Sequence, residues 1–501
     1  MLELSGQPLS IDQIADVAAG RVNPQLSSRA RERISASRAL VDRVIEEGRI
    51  VYGINTGFGK LSEVHIAPSD LEVLQLNLVR SHSCGLGHPL SEPETRAMML
   101  LRANVLSLGY SGCRVAVVET LLRMLERGVH PVIPEKGSVG ASGDLAPLAH
   151  LALCMIGEGE CWYRGERVTA ETALHEAEIE PIRLAAKEGL ALLNGTQAMC
   201  AVGALALHRA LRVIALADLA GAMTLEALRG TPVAFDERIH AIRPHAGQVA
   251  SAAHLRRLLE NSEIRRSHLV NDPRVQDAYS LRCMPQVHGA VRNALEHARS
   301  VVETESGSAT DNPLVFDGGD ILSGGNFHGA PLAMVFDYAA IAMTDLISIG
   351  ERRIDRLVNP DVNEGLPPFL SSHPGLSSGY MIAQICAVSL LNGAKVLAHP
   401  ASIDNVPTSG DKEDHVSMGM TAALKLREIV SDAERVLAIE LLAAAEGLEY
   451  RAPLRSSPPI EKAHALIRKF VPRLTADRPL SRDIEMIVSA IQRGEIDEFT
   501  K

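Results

Sequence analysis

The sequence predicts a mainly α-helical protein, a bundle of long helices with a smaller α-rich N-terminal domain. Two stretches carry the prediction. Between 331 and 358 apolar residues recur at Leu332, Val335, Ala339, Ala342, Leu346 and Ile349, and between 416 and 446 at Leu426, Val430, Ala433 and Leu437. Spacings of three and four put those side chains on one stripe of a helix, and at about 1.5 Å per residue each helix would span about 40 Å. Composition agrees: alanine and leucine abound and aromatics make up only 3%, a mixture suited to close helix packing. A chain of 501 residues exceeds one typical core, so several packed regions are expected. The pattern divides them at 1–190, 191–450 and 451–501.

From about residue 10 to 130 the pattern is helical with short connections. Ser91-Glu92-Pro93-Glu94 reads as a capping box opening a helix toward Gly109, and Val115, Val118, Leu122 and Leu125 stripe the next helix, which Gly128 stops. Within this region Tyr52-Gly53-Ile54-Asn55-Thr56-Gly57-Phe58-Gly59 is a glycine-punctuated loop. Cys161 to Val168 reads as a small hairpin, one of few strand candidates, and Arg451 to Pro459 as a linker before a short C-terminal helical piece. The uncharged stretch 189–207 is long enough to cross a membrane, but Asn194, Thr196, Gln197 and its glycines mark it as a buried helix.

A formal charge of -11 gives no support for nucleic acid as a partner. The seven cysteines are odd in number and form no C-x-x-C pair, and the eighteen histidines show no H-E-x-x-H, so neither a disulfide framework nor a metal site is expected. The amino terminus has no basic and apolar leader pattern. A reducing cytoplasm is the expected location.

The run Gly137-Ser138-Val139-Gly140-Ala141-Ser142-Gly143-Asp144 cannot be a regular helix or strand. Clusters of this kind are ordinarily loops. A serine-hydrolase elbow fails because Gly143 follows Ser142 directly, and a P-loop fails for want of G-K-[ST]. A third reading is chemical: the Gly143 nitrogen can attack the Ala141 carbonyl and close a five-membered ring. Loss of two waters, one from Ser142, then leaves an exocyclic methylene.

Gly140-Ala141-Ser142-Gly143-Asp144-Leu145-Ala146-Pro147-Leu148-Ala149-His150 is similar to the signature of the aromatic amino acid lyases, which build 4-methylideneimidazol-5-one from Ala-Ser-Gly. The resemblance covers nearly the whole chain. It implies a helical bundle of the fumarase/aspartase-like type, a homotetramer with active sites shared between subunits, and no external cofactor. Ala141, Ser142 and Gly143 would form the electrophile. By the same resemblance Tyr52 is the general base, although its ordinary pKa near 10 requires the site to stabilise phenolate. In Gln276-Asp277-Ala278-Tyr279-Ser280-Leu281-Arg282, Arg282 would clamp the substrate carboxylate bidentately, Tyr279 would join the catalytic set and Gln276 would bind substrate. Their spacing of three would bring all three to one side of a helix. Asn194 would touch the carboxylate and the prosthetic ring, the alternative being a helix N-cap, and Phe327 would line the pocket.

Substrate choice turns on Ser81-His82 and Glu413-Asp414-His415, where relatives acting on phenylalanine or tyrosine usually carry Gln-Asp at the second block. Glu413 can accept from an imidazole N–H, which a phenyl ring lacks. The expected reaction is therefore loss of ammonia from L-histidine to give trans-urocanate, the first step of histidine degradation. Alternatives are a tyrosine or phenylalanine ammonia-lyase, an aromatic 2,3-aminomutase with the same electrophile, and a helical scaffold whose loop never cyclises. Two departures from the usual pattern, Ser306-Gly307 and Asn392-Gly393-Ala394, add glycines expected to weaken helices and local packing.

Overall fold

The protein is described by a computed structural model covering residues 1–270 and 272–500. Helices dominate, and the longest are Gln197–Ala227, Met284–Ser306, Ala330–Val358 and Gly419–Glu449. Strands are short: the hairpin Glu160–Tyr163 with Glu166–Thr169 takes His130–Pro131 as a third strand, and three two-stranded pairs complete the β structure among the described residues.

Local signals act where the sequence places them. Ser91 caps Glu92–Leu106 with Glu94 reaching back to complete the capping box, and Gly128 closes Val115–Arg127 in the left-handed conformation at φ 73°. One expectation is corrected. The stretch 189–207 is not a single helix but two, Glu188–Leu193 and Gln197–Ala227, separated at Asn194-Gly195-Thr196. Gln197–Ala227 and Ala330–Val358 are long and apolar enough to cross a membrane, yet 67% and 72% of their most apolar windows are buried inside the protein.

The chain forms two compact units, each discontinuous in sequence: 1–208 with 298–337 and 400–424, and 209–297 with 338–399 and 425–501. The second unit encloses a buried polar network. Asp218 accepts from Ser251 Oγ at 2.6 Å, His288 Nδ1 at 2.7 Å and Arg292 Nη2 at 2.7 Å, and pairs with His254 Nδ1 at 3.1 Å. Burial alone would raise its pKa, but the bonds from His254 and His288 hold it far below the usual carboxylate range. Arg353, itself buried, grips Glu440 at 2.6 and 2.9 Å, and Thr224 donates to the same carboxylate.

The two departures behave differently. Ser306 Oγ accepts from Leu9 N at 2.7 Å and donates to carbonyls of Glu303 and Leu9, while a Cβ on Gly307 would lie 2.4 Å from Pro8 N. Serine and glycine there dock the N-terminal segment, so the packing is specified rather than weakened. Gly393 has no such role: it lies inside the unbroken helix Met381–Leu397, and its nearest neighbour for an added Cβ is 3.9 Å away.

Candidate active site

The first unit holds a cavity of about 650 Å³ lined by Tyr52, His82, Ser142, Asn194, Phe327 and Glu413, with Phe58, Leu74, Leu190 and Leu193 supplying apolar wall. Few convergent polar groups in an apolar cleft are what a small-molecule site requires. Among the described residues, neither arginine nor lysine lines it.

The bend at its floor is built by backbone. Gly140 and Gly143 sit at φ 70° and 74°, a region open to glycine. A Cβ at Gly143 would come within 2.2 Å of Gly195 O, so the two strands of chain approach more closely than any side chain permits. Asp144 N donates to Gly195 O at 2.7 Å, and the Asp144 carboxylate, fully buried, accepts from Ser138 Oγ at 2.7 Å and Met199 N at 2.8 Å. Burial pushes its pKa up to about 6 against the pull of those donors. From the other side, Gly329 N and Ser417 Oγ both donate to Gly140 O, at 3.2 and 3.0 Å, and Met418 N donates to Val139 O at 2.8 Å. Ala141 is buried between these straps.

Around Ser142 the side chains converge. Asn194 Nδ2 donates to Ser142 O at 2.7 Å, and Ser142 Oγ donates to Glu413 Oε1 at 2.5 Å. Asn194 is thus no N-cap: it ends Glu188–Leu193 and turns its amide to the bend. That turn is fixed by the buried Arg102, which donates to Asn194 O at 2.8 Å and Gln197 Oε1 at 2.6 Å. The phenol of Tyr52 is raised above its ordinary pKa, first by burial and further by the charge of Glu413, while a hydrogen bond with the Gly59 backbone lowers it. Burial lowers the pKa of His82, with a backbone contact at Leu78 and the Glu413 charge opposing, and its Nδ1 lies 3.1 Å from Ser81 Oγ.

Gln276, Tyr279 and Arg282 belong to the second unit and do not line the cavity. They do meet one another, since the Arg282 guanidinium lies 5.3 Å from the Tyr279 ring centroid and bonds the Gln276 side chain. A helix through all three, as the spacing implied, does not form: only Tyr279–Arg282 is helical. Tyr279 is 72% exposed. Sequence reasoning missed Asp144, Arg102 and Gly195 as builders of the bend, and Thr408, which donates to Glu413 Oε2 at 2.6 Å. For Arg102 the available signal was a charged residue directly after the apolar run Met98 to Leu101.

The chain is similar to known proteins along nearly its whole length. Residues 9–469 match the family described as aromatic amino acid lyase. A histidine ammonia-lyase from Anaeromyxobacter sp. (strain K) is 55% identical over 507 aligned residues, covering 99% of each chain. The crystal structure of histidine ammonia-lyase from Trypanosoma cruzi is 43% identical with a TM-score of 0.93, covering 100% of this chain and 94% of that one. Tyrosine aminomutase from Streptomyces globisporus is 38% identical with a TM-score of 0.94, covering 99% and 98%.

Proposed function

We propose a reaction from one premise: the chain belongs to the aromatic amino acid lyase family. It eliminates ammonia from L-histidine, without oxidation, to give trans-urocanate. The observation that carries the reading is the meeting of His82 and Glu413 beside Ser142 in one cavity, supported by relatives named histidine ammonia-lyase at 55% and 53% identity over nearly the full chain.

Family members carry 4-methylideneimidazol-5-one, and the residues at the bend fit it. Gly143 has no side chain to obstruct closure of its nitrogen onto Ala141, the flanking φ values fold the backbone back, and Gly195 leaves room where a Cβ could not be. We propose that Ala141, Ser142 and Gly143 form it unaided, forming one carbon–nitrogen bond and releasing two waters. The group supplies an electron-poor alkene that makes the amine a leaving group.

The rest is the work of side chains. Asn194 Nδ2, bonded to Ser142 O, draws electron density toward that oxygen. Glu413 accepts the N–H of the substrate imidazole, and His82, its pKa lowered by burial, lines the same cavity beside the ring. Tyr52 takes the β-proton once it is phenolate. Phe327 and the leucines exclude water. The carboxylate clamp comes from Arg282 of a neighbouring copy, with Tyr279 and Gln276, in a homotetramer. Support for that part is the exposed cluster these three form and a cavity wall without a cation among the described residues.

The test is histidine-dependent appearance of urocanate ultraviolet absorbance on purified protein, together with intact mass. A chain of full mass that releases no urocanate overturns the reading, and β-tyrosine from tyrosine would assign it to the aminomutases. For the shared site, two variants expected to be strongly impaired, Tyr52→Phe and Arg282→Met, are co-assembled; activity above that of either variant alone is expected, and none gained refutes sharing.

A further inference from the structure

We propose that Thr408 is a positioning residue that fixes Glu413 for recognition of the imidazole. The proposal deepens the reading of Glu413 given above and rests on it. The two oxygens of this carboxylate are engaged separately: Oε1 accepts from Ser142 Oγ at 2.5 Å, and Oε2 accepts from Thr408 Oγ1 at 2.6 Å. If Ser142 surrenders its hydroxyl as water when the ring closes, Oε1 loses its partner and faces the cavity. Oε2 remains tied to Thr408. One oxygen is then held back and the other presented, so the carboxylate cannot swing about its last torsion, which is broad when unrestrained.

Holding the turn does not explain this hydroxyl. Thr408 and Glu413 already pair through backbone, Thr408 N to Glu413 O at 2.8 Å and Glu413 N to Thr408 O at 3.3 Å. That pair closes the intervening segment, in which Ser409, Gly410 and Asp411 have φ of 52°, 63° and 63°. With the backbone closed independently, the side chain is free to serve the carboxylate, and threonine's restricted χ1 keeps its oxygen in place. A fixed acceptor matters for a substrate presenting an N–H and is irrelevant to a phenyl ring.

The experiment compares Thr408→Val, which keeps the branched shape without the hydroxyl, with Thr408→Ser, which restores it, and with Glu413→Gln. Hydrogen bonds to charged groups contribute enough to predict an about tenfold to hundredfold rise in KM for histidine in Thr408→Val, with kcat changed less and Thr408→Ser near wild type. Inhibition by urocanate should weaken in parallel, while inhibition by cinnamate, the phenyl counterpart, should not move. Equal weakening toward both inhibitors, failure of serine to rescue, or a Thr408→Val chain that retains its two waters by mass overturns the proposal. If Thr408→Val behaves as wild type while Glu413→Gln loses histidine, only this inference falls. If neither variant changes histidine kinetics, the reading of Glu413 falls with it.

Discussion

The phenol of Tyr52 offers the sharpest handle on the mechanism, because its environment opposes the role assigned to it. Burial and the charge of Glu413 both raise its pKa above the ordinary value, and the contact with Gly59 lowers it. At an ordinary value near 10, about one phenol in a hundred is ionised at pH 8; in Tyr52 of the isolated chain the fraction is smaller. A base that must lose one proton makes kcat/KM rise about tenfold per pH unit below its midpoint. Glu413→Gln removes a charge that raises the phenol, so the midpoint of this limb should move to lower pH, even though recognition of histidine weakens and the plateau falls. Tyr52→Phe should lower kcat/KM by about 10²–10⁴-fold and abolish the limb. Initial rates of urocanate release from pH 6 to 10 measure both. A limb that survives in Tyr52→Phe, or a midpoint that moves upward in Glu413→Gln, refutes the assignment of the base.

Three further outcomes concern stability. Ser306→Ala leaves the Leu9 N–H without its 2.7 Å acceptor and should cost about 1–3 kcal/mol; an unchanged melting temperature would contradict the docking role. Gly393→Ala adds a methyl to a helix interior with no atom nearer than 3.9 Å and should stabilise by about 0.4–1 kcal/mol, seen as a higher denaturation midpoint. Lys187 and Asp311 form a buried ion pair at 3.2 Å with neither side chain exposed; Lys187→Met should cost about 3–5 kcal/mol, and Asp311→Leu added to it should recover most of that, so a double variant no better than the single one would count against the pair.

Much of this protein was already written in its sequence. The helices follow from periodicity and caps acting within one turn, as at Ser91 with Glu94 and at Gly128. The run Gly140 to His150, together with the matching blocks around Tyr52, Asn194, Arg282 and Glu413, marks the family in the sequence, because residue type and spacing along a motif can be read without knowing what packs against it. The break at Asn194 was less legible: Gly195 sits in an apolar run that reads as one helix, and its reason is the approach of Gly143 from far along the chain. The same holds for Glu413, which reaches Ser142 across 271 positions of sequence, and for Thr408, an ordinary loop threonine until its hydroxyl meets a carboxylate. Spacing also suggested that Gln276, Tyr279 and Arg282 share a helix, whereas a four-residue helix and a side-chain contact bring them together. Propensity and periodicity extend only a few residues along a chain, so they determine which segments become helices, while motif resemblance marks the candidate tripeptide. Which remote atoms face each other depends on how those helices pack, and that is where the tertiary structure alone decides.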